Sequence, residues 1–356
     1  MTGRDRMLAA LAGEEPDRVP IWELIINEPT LSAVAGPGAG QADVVERLDL
    51  DGLTVFETQQ LIPSPQGGVI DEWGIEWGVS EVGVPYPRGH IIENAEDVAA
   101  YEPPDPAAEW RLAGLEQAIS RFGGEKAVVF LTHDAFEFAA NLRGMDRLLE
   151  DFALDPPLVD DLFRQVLGYK KEVLAQALEM GADVVVAGDD YAWRQGPLMS
   201  PRHFRRYIQP ALTELVKVSH RAGRPFIKHT DGCLWPIMDD LLAAGVDALD
   251  PIEPLAGMDI GEVKERLGPG KAVVGNVDCT EILPHGSTEE VVEAVKETIA
   301  KGSPGGGHVL ASSNSIHPAV KPENYVAMVE AGRRFGRYPL DPELVATYRA
   351  KSYIER

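Results

Sequence analysis

Gly181-Ala-Asp-Val-Val-Val-Ala-Gly-Asp-Asp-Tyr191 decides how the chain is read. A glycine opens it, an unbroken apolar run fills it, and two acids and a tyrosine close it. An apolar run without alternation is the pattern of a strand covered on both faces, as in a parallel sheet. Upstream, residues 157–180 carry an apolar stripe through Val159, Leu162, Phe163, Val166, Leu167 and Leu174, the spacing of a helix face. Downstream, Ser200 and Pro201 form the start signal of another helix. Gly223 and Gly245 stand where further helices must stop. Leu242-Ala-Ala-Gly-Val-Asp247 repeats the sense of Leu178-Glu-Met-Gly-Ala-Asp183: helix end, glycine stop, strand start.

The same module recurs along the chain. Apolar runs occupy residues 19–24, 52–57, 127–132, 182–188, 225–229, 246–250, 272–277 and 308–312. Eight strand–helix units in one chain predict an α/β fold, a single closed (β/α)8 (TIM) barrel over residues 1–356. The runner-up is a doubly wound open sheet, which usually carries a Gly-rich phosphate loop after its first strand. No GxGxxG occurs, and Gly36-Pro-Gly-Ala-Gly40 does not directly follow a strand. Residues 58–106 break the rhythm between the second and third runs. There Trp73, Ile75, Trp77 and Val79 alternate with Glu72, Gly74, Glu76 and Gly78, which predicts a hairpin over the barrel mouth.

Composition narrows the function. The 356 residues include 33 Lys plus Arg against 57 Asp plus Glu, a net charge of −24. That opposes binding to nucleic acid or an anionic membrane, which needs a basic surface. No apolar run reaches the ~18 residues of a membrane span. Charges interrupt the N-terminus, MTGRDRMLAALAGEEPDRVP, where a signal peptide needs an apolar core, so a cytoplasmic location is expected. Cys233 and Cys279 are too few for a disulfide framework. GxSxG, Walker-type and HExxH motifs are all missing.

Barrel enzymes work at the C-terminal ends of their strands. Polar residues gather there run by run: Glu23, Asn27 and Glu28; Glu57; Thr132-His133-Asp134; Gly188-Asp189-Asp190-Tyr191; His229-Thr-Asp-Gly-Cys233; Asp250 and Glu253; Asn276, Asp278 and Cys279; Ser312-Ser-Asn314 and His317. Each alone reads as an ordinary polar loop; the succession predicts a site. Catalytic zinc favours three imidazole, thiolate or carboxylate ligands plus an open position. His229, Glu253 and Cys279 come from successive runs and form the expected metal set, with Asp231, Asp250, Cys233 and His317 as alternates. Asp189, Asp190, Tyr191 and His229 are the expected catalytic groups. Trp22, Glu57, His133, Trp193, Asn276, Ser312 and Asn314 are expected to bind substrate, and the rings of Trp22, Trp73 and Trp193 suit an aromatic one.

Glu15-Pro-Asp-Arg-Val-Pro-Ile-Trp22 resembles the opening of the uroporphyrinogen decarboxylase superfamily. So do Gly181-Ala-Asp183, Gly188-Asp-Asp190, Ser200-Pro201 with Tyr207 and Pro210, Gly275-Asn-Val-Asp278 and Pro322-Glu-Asn-Tyr325. The resemblance covers nearly the whole chain and implies the (β/α)8 barrel again. Its true decarboxylases grip a polycarboxylate tetrapyrrole through an arginine-bearing N-terminal segment. Here that segment reads Trp22-Glu-Leu-Ile-Ile-Asn-Glu28, with two glutamates and no arginine. The resemblance therefore implies the other branch, zinc-dependent methyltransferases that exchange methyl groups with a corrinoid carried by a partner protein. Of that branch's coenzyme M pattern, His-x-Cys, only His229 is present. The expected activity is transfer of methyl from a small methoxylated or methylated donor to a corrinoid protein. A cofactor-free decarboxylase and a non-catalytic barrel that binds a tetrapyrrole or corrinoid are the alternatives. The resemblance also implies a homodimer.

Overall fold

The computed structural model describes residues 1–80 and 85–352. Seven parallel strands form one curled sheet: β1 (Gly52–Phe56), β6 (Ala127–Thr132), β7 (Val184–Ala187), β10 (Phe226–His229), β11 (Ala248–Asp250), β12 (Ala272–Val274) and β13 (His308–Val309), in that order. Each is registered in parallel on the next, for example Val129 on Val184 and Val185 on Phe226. The first apolar run joins the two ends of the sheet. Trp22 N donates to Leu310 O, Leu310 N to Pro20 O, and Asp51 N to Ile21 O. The run was expected as a full strand and makes isolated bridges instead. Pro20 has no N–H to give, which cuts the ladder.

Side chains alternate along the strands. Ala127, Val129 and Leu131, Val184 and Val186, Ile227, Ala248, Val274 and Val309 pack inside the barrel with Trp22, Leu24 and Met7. Val128, Phe130, Val185, Phe226, Leu249 and Val273 pack outward against the helices. Both faces are dry, so the runs are continuously apolar. The helix Gly3–Leu11 plugs the bottom, started by a Thr2–Asp5 capping box. Arg6 and Arg18 both clamp the fully buried Asp51 there.

The insertion is a four-stranded antiparallel sheet of β2 (Ile62–Pro63), β3 (Val69–Ile70), β4 (Glu76–Val79) and β5 (Pro85–Arg88). Its expected apolar strand starts later than the alternation suggests. Asp71 Oδ1 accepts from Trp73 N and Ile75 N, both at 2.9 Å, and Oδ2 accepts from Trp77 Nε1 at 2.7 Å. This makes a turn of residues 71–75, with Gly74 at φ +79°. Trp73 lies in the core against Phe138 and Tyr169, whereas Val79 is exposed. Arg111 ties the insertion's two ends together, donating to Thr58 O and Asp105 O and pairing through both Nη atoms with Glu72. A small hairpin of β8 (Ala192–Trp193) and β9 (Gly196–Pro197) rises from the loop after β7.

Candidate active site at the ends of the strands

His229 ends β10 and points its imidazole to the C-terminal end of the barrel, where Asp250 ends β11. Asp250 Oδ2 lies 2.5 Å from His229 Nδ1, which leaves Nε2 to face Asp231 Oδ1 at 3.9 Å. Asp231 N donates to Asp190 Oδ1 at 3.0 Å, and Asn314 Nδ2 donates to Asp231 Oδ2. One donor atom each from Asp190, His229 and Asp231 falls within 4.8 Å of the others. Gly232 makes this loop possible. At φ +85° a Cβ would lie 2.5 Å from the Trp193 carbonyl, so only glycine lets residues 230–233 pass under the β8–β9 hairpin.

Electrostatics favour a cation here. Burial disfavours a charged imidazole, but the Asp250, Asp231 and Asp190 carboxylates outweigh it and carry His229 to about 9. Burial and the neighbouring Asp190, Glu253 and Asp250 push Asp231 up to about 7 against the pull of His229. Two carboxylates and an imidazole suit zinc, and a carboxylate on the other ring nitrogen is the usual support of a histidine ligand. The donor set fits the expected metal.

Of the expected set His229, Glu253 and Cys279, only His229 falls in this group of donor atoms. Glu253 Oε1 accepts from Arg194 Nε at 2.8 Å and Oε2 from Gly232 N at 3.1 Å. Cys279 is buried, with its sulfur 3.5 Å from Ser313 Oγ, and burial pushes its thiol up to about 12. In this packing the thiol sits as a small buried side chain against Ser313. Asp231, an alternate, takes a place in the group, and Asp250 orients the ring. His317 bonds the Cys279 carbonyl through Nε2, and Cys233 N donates to Trp193 O.

The catalytic expectation divides in the same way. Asp190 reaches the mouth, but Asp189 and Tyr191 do not. Asp189 is fully buried and accepts from Glu137 N at 2.8 Å and Asp134 N at 2.5 Å. Lys228, also fully buried, donates to Asp189 O at 2.8 Å and lies 4.0 Å from the Tyr191 ring centre, while the Tyr191 hydroxyl bonds Asp134. This network sits behind the rim and locks the ends of β6, β7 and β10 together.

The substrate-binding residues scatter. Trp22 is a correction: it packs inside the barrel with no exposed surface and cannot stack on a ligand. Trp73 is buried too. Asn276 is buried, its amide on Ile252 O and near Thr298, as part of the wall. Ser312 holds Glu23, donating from both N and Oγ. Burial takes that Glu23 carboxyl up to about 8 against those two bonds. Trp193 stands exposed on the hairpin. Glu57 pairs with Lys170 and accepts from Tyr169 Oη at 2.7 Å. With His133 it lines a 310 Å³ cavity beside Gln59 and Leu61 of the insertion. A second cavity, of 470 Å³, is lined by Asp190, Glu137, Asn141, Phe136, Leu198 and Pro87. The sequence reading missed Glu137. Its only signal was its place four residues after His133, and the turn into the helix Phe136–Arg143 brings the two within 3.5 Å. A wider groove of 960 Å³ around Val34, Val292, Ala327 and Phe335 lies among the outer helices and holds none of these groups.

A uroporphyrinogen decarboxylase of Trichlorobacter lovleyi is 29% identical over 363 residues, spanning 94% of this chain and 99% of that one. That of Nitrosococcus oceani is 26% identical over 361 residues, spanning 92% and 95%. With that of Geobacter sulfurreducens, 27% identity over 187 residues spans 51% of each. A solved structure, a methyltransferase from Methanosarcina mazei, superposes with a TM-score of 0.73 at 22% identity, over 94% of this chain and 99% of that one. Identity that low establishes a shared fold alone. Residues 40–335 match the sequence model of the family described as uroporphyrinogen decarboxylase (URO-D), most of the chain and all seven strands of the sheet, and the chain therefore belongs to that family.

Proposed function

We propose that this chain is a metal-assisted methyltransferase that moves a methyl group from a small methoxylated or methylated donor to a corrinoid carried by a partner protein. The observation that carries this reading is the grouping of Asp190, His229 and Asp231 at the strand ends, with His229 Nε2 freed for a ligand by Asp250. Those three side chains would hold zinc, which supplies Lewis acidity to the heteroatom that carries the methyl group. Asp250 fixes the ring of His229. Asn314 and the Asp231 amide hold the two carboxylates in place. The 470 Å³ cavity beside Asp190 takes the donor, with Phe136 and Leu198 giving it an apolar wall.

The cations near the cavities argue against a polycarboxylate substrate. Lys170 is held by Glu57, Arg194 by Glu253, and Lys228 by carbonyls behind the rim. Among the described residues lining the two cavities there is no arginine or lysine. A decarboxylase acting on such a substrate needs positive partners for it. The names of the curated relatives favour the decarboxylase reading, so one experiment addresses both. The protein is purified without chelators, its metal measured by elemental analysis, and the zinc-loaded form assayed for methyl transfer from methoxylated donors to cob(I)alamin. About one metal per chain, lost in His229→Ala, with methyl transfer that follows it, supports the proposal. Metal-free protein that decarboxylates uroporphyrinogen overturns it, as does metal-free protein that binds a tetrapyrrole without turning it over. The partner protein and a homodimer stand as proposals of the same reading, tested by co-purification and by mass in solution.

A further inference from the structure

Glu137 has no role in the site as described so far, yet it faces the same cavity as Asp190. It lies in the first turn of the helix Phe136–Arg143, and its backbone N–H is held by Asp189 at 2.8 Å. Its carboxyl joins Asp190, Phe136, Asn141 and Leu198 in the wall of the 470 Å³ cavity. His133 faces it, with Nε2 3.5 Å from Glu137 Oε2. His133 in turn lines the neighbouring 310 Å³ cavity with Glu57, Gln59 and Leu61. The pair therefore stands in the partition between two cavities, the carboxyl facing one and the imidazole the other. The ring of His133 is steadied by the edge of Phe138, with centroids 5.3 Å apart, and by the close approach of Gly188.

We propose that Glu137 is the proton donor to the heteroatom that loses its methyl group, and that His133 recharges it from the second cavity. This rests on the methyl-transfer reading of the site. As the bond from methyl carbon to heteroatom breaks, its electron pair stays on the heteroatom and the methyl bonds to the acceptor's reduced centre. A proton then passes from Glu137 to the heteroatom, which leaves as an alcohol, phenol or amine. Glu137, now a carboxylate, takes the Nε2 proton of the neutral His133 ring as a proton from solvent enters at Nδ1, so the imidazole relays the proton and ends neutral. No oxidant or reductant beyond the methyl acceptor is required.

The surrounding charges agree with the geometry. Burial raises the Glu137 carboxyl to about 8, and Asp189 and Asp190 after β7 push the same way, against Lys228 of β10 and Lys170 of the helix Pro156–Met180. Burial lowers His133 to about 4, with Lys170 and Lys228 helping and Asp189 and Glu57 opposing. Both shifts favour the proton on the carboxyl over the ring, on the side where the leaving group forms.

The test compares donors whose leaving groups differ in basicity. A nitrophenyl methyl ether releases a weakly basic phenolate that needs no proton; an alkyl methyl ether releases a strongly basic alkoxide that does. With zinc-loaded protein and cob(I)alamin as acceptor, Glu137→Gln should slow the alkyl donor by about 10²–10⁴-fold, the usual contribution of a positioned acid, and leave the nitrophenyl donor little changed. His133→Gln should leave the first turnover intact and slow only the steady state, because it blocks recharging. Equal metal content and thermal midpoint in both variants separate these effects from misfolding. Glu137→Gln slowing both donors alike, or neither, overturns the inference while the methyl-transfer reading stands. Wild-type protein transferring methyl from neither donor brings down the methyl-transfer reading itself, and this inference with it.

Discussion

Asp189 was expected to be catalytic, and the structure puts it to structural use, which makes Asp189→Ala the sharpest test of the site's layout. The carboxylate is fully buried, accepts from the backbone N–H of Asp134 and from that of Glu137 in the first turn of the helix Phe136–Arg143, and is the strongest of the carboxylates that favour charge on Lys228. Removing it strands a buried ammonium whose own contacts are carbonyl oxygens of Ala187 and Asp189 and the Tyr191 ring. Two buried backbone N–H groups lose their acceptor at about 1–3 kcal/mol each and the ammonium loses its strongest favourable charge, about 3–5 kcal/mol together. At roughly 2 °C per kcal/mol for a chain of this size, the thermal midpoint should fall by about 6–10 °C at a fixed scan rate. The deficit should depend on pH with a definite sign. Burial already lowers Lys228 below the ordinary lysine value of 10.5, and losing Asp189 lowers it further. Between that depressed value and 10.5 the unfolded chain binds more protons than the folded one, so the stability of the variant rises with pH. The deficit is therefore larger at pH 6 than at pH 9, and Lys228→Met added to Asp189→Ala should recover much of it. Differential scanning calorimetry of the two variants at both pH values measures this. An unchanged midpoint with abolished turnover would refute the reasoning and return Asp189 to the chemistry.

Three further outcomes are expected. Asp250→Asn, which weakens the hold on His229 Nδ1, should lower zinc affinity by about 10–100-fold, roughly 1.4–2.7 kcal/mol, in competition with a chromogenic chelator; unchanged affinity would remove Asp250 from the site. Asp190→Asn with Asp231→Asn should lose the metal and Cys279→Ala should keep it, both read by elemental analysis, because the Cys279 thiol is buried, protonated and outside the group. Arg111→Ala leaves Glu72 without its bidentate partner and unties both ends of the insertion, at a local cost of about 3–5 kcal/mol. Hydrogen exchange should then speed up across described amides of residues 58–106 and stay slow in the barrel strands; uniform acceleration would count against a local tie.

The barrel was legible because its cause is local and repetitive. A run such as Asp183-Val-Val-Val-Ala187 between a glycine stop and polar residues has few other homes than a strand covered on both sides. That pattern recurs often enough to set the fold class. Where a local effect opposed the pattern, the reading slipped. Pro20 broke the first strand into bridges, and Asp71 folded Trp73 and Ile75 into a turn that the alternation alone does not reveal.

Sequence by itself determined the succession of strand–helix units and the end of the barrel that carries polar residues, and it offered His229 as a candidate there. It could not choose among neighbours there. Asp189 and Asp190 are adjacent, yet one is turned into the wall to accept from the Asp134 and Glu137 amides while the other reaches the mouth. Cys279 and Asp231 are equally good ligands by residue type. Only the packing, which buries the thiol and aims Asp231 at the imidazole, separates them. Residue type fixes what a group can do; burial, neighbouring charge and an ångström of distance set by strands far apart in the chain fix whether it does it.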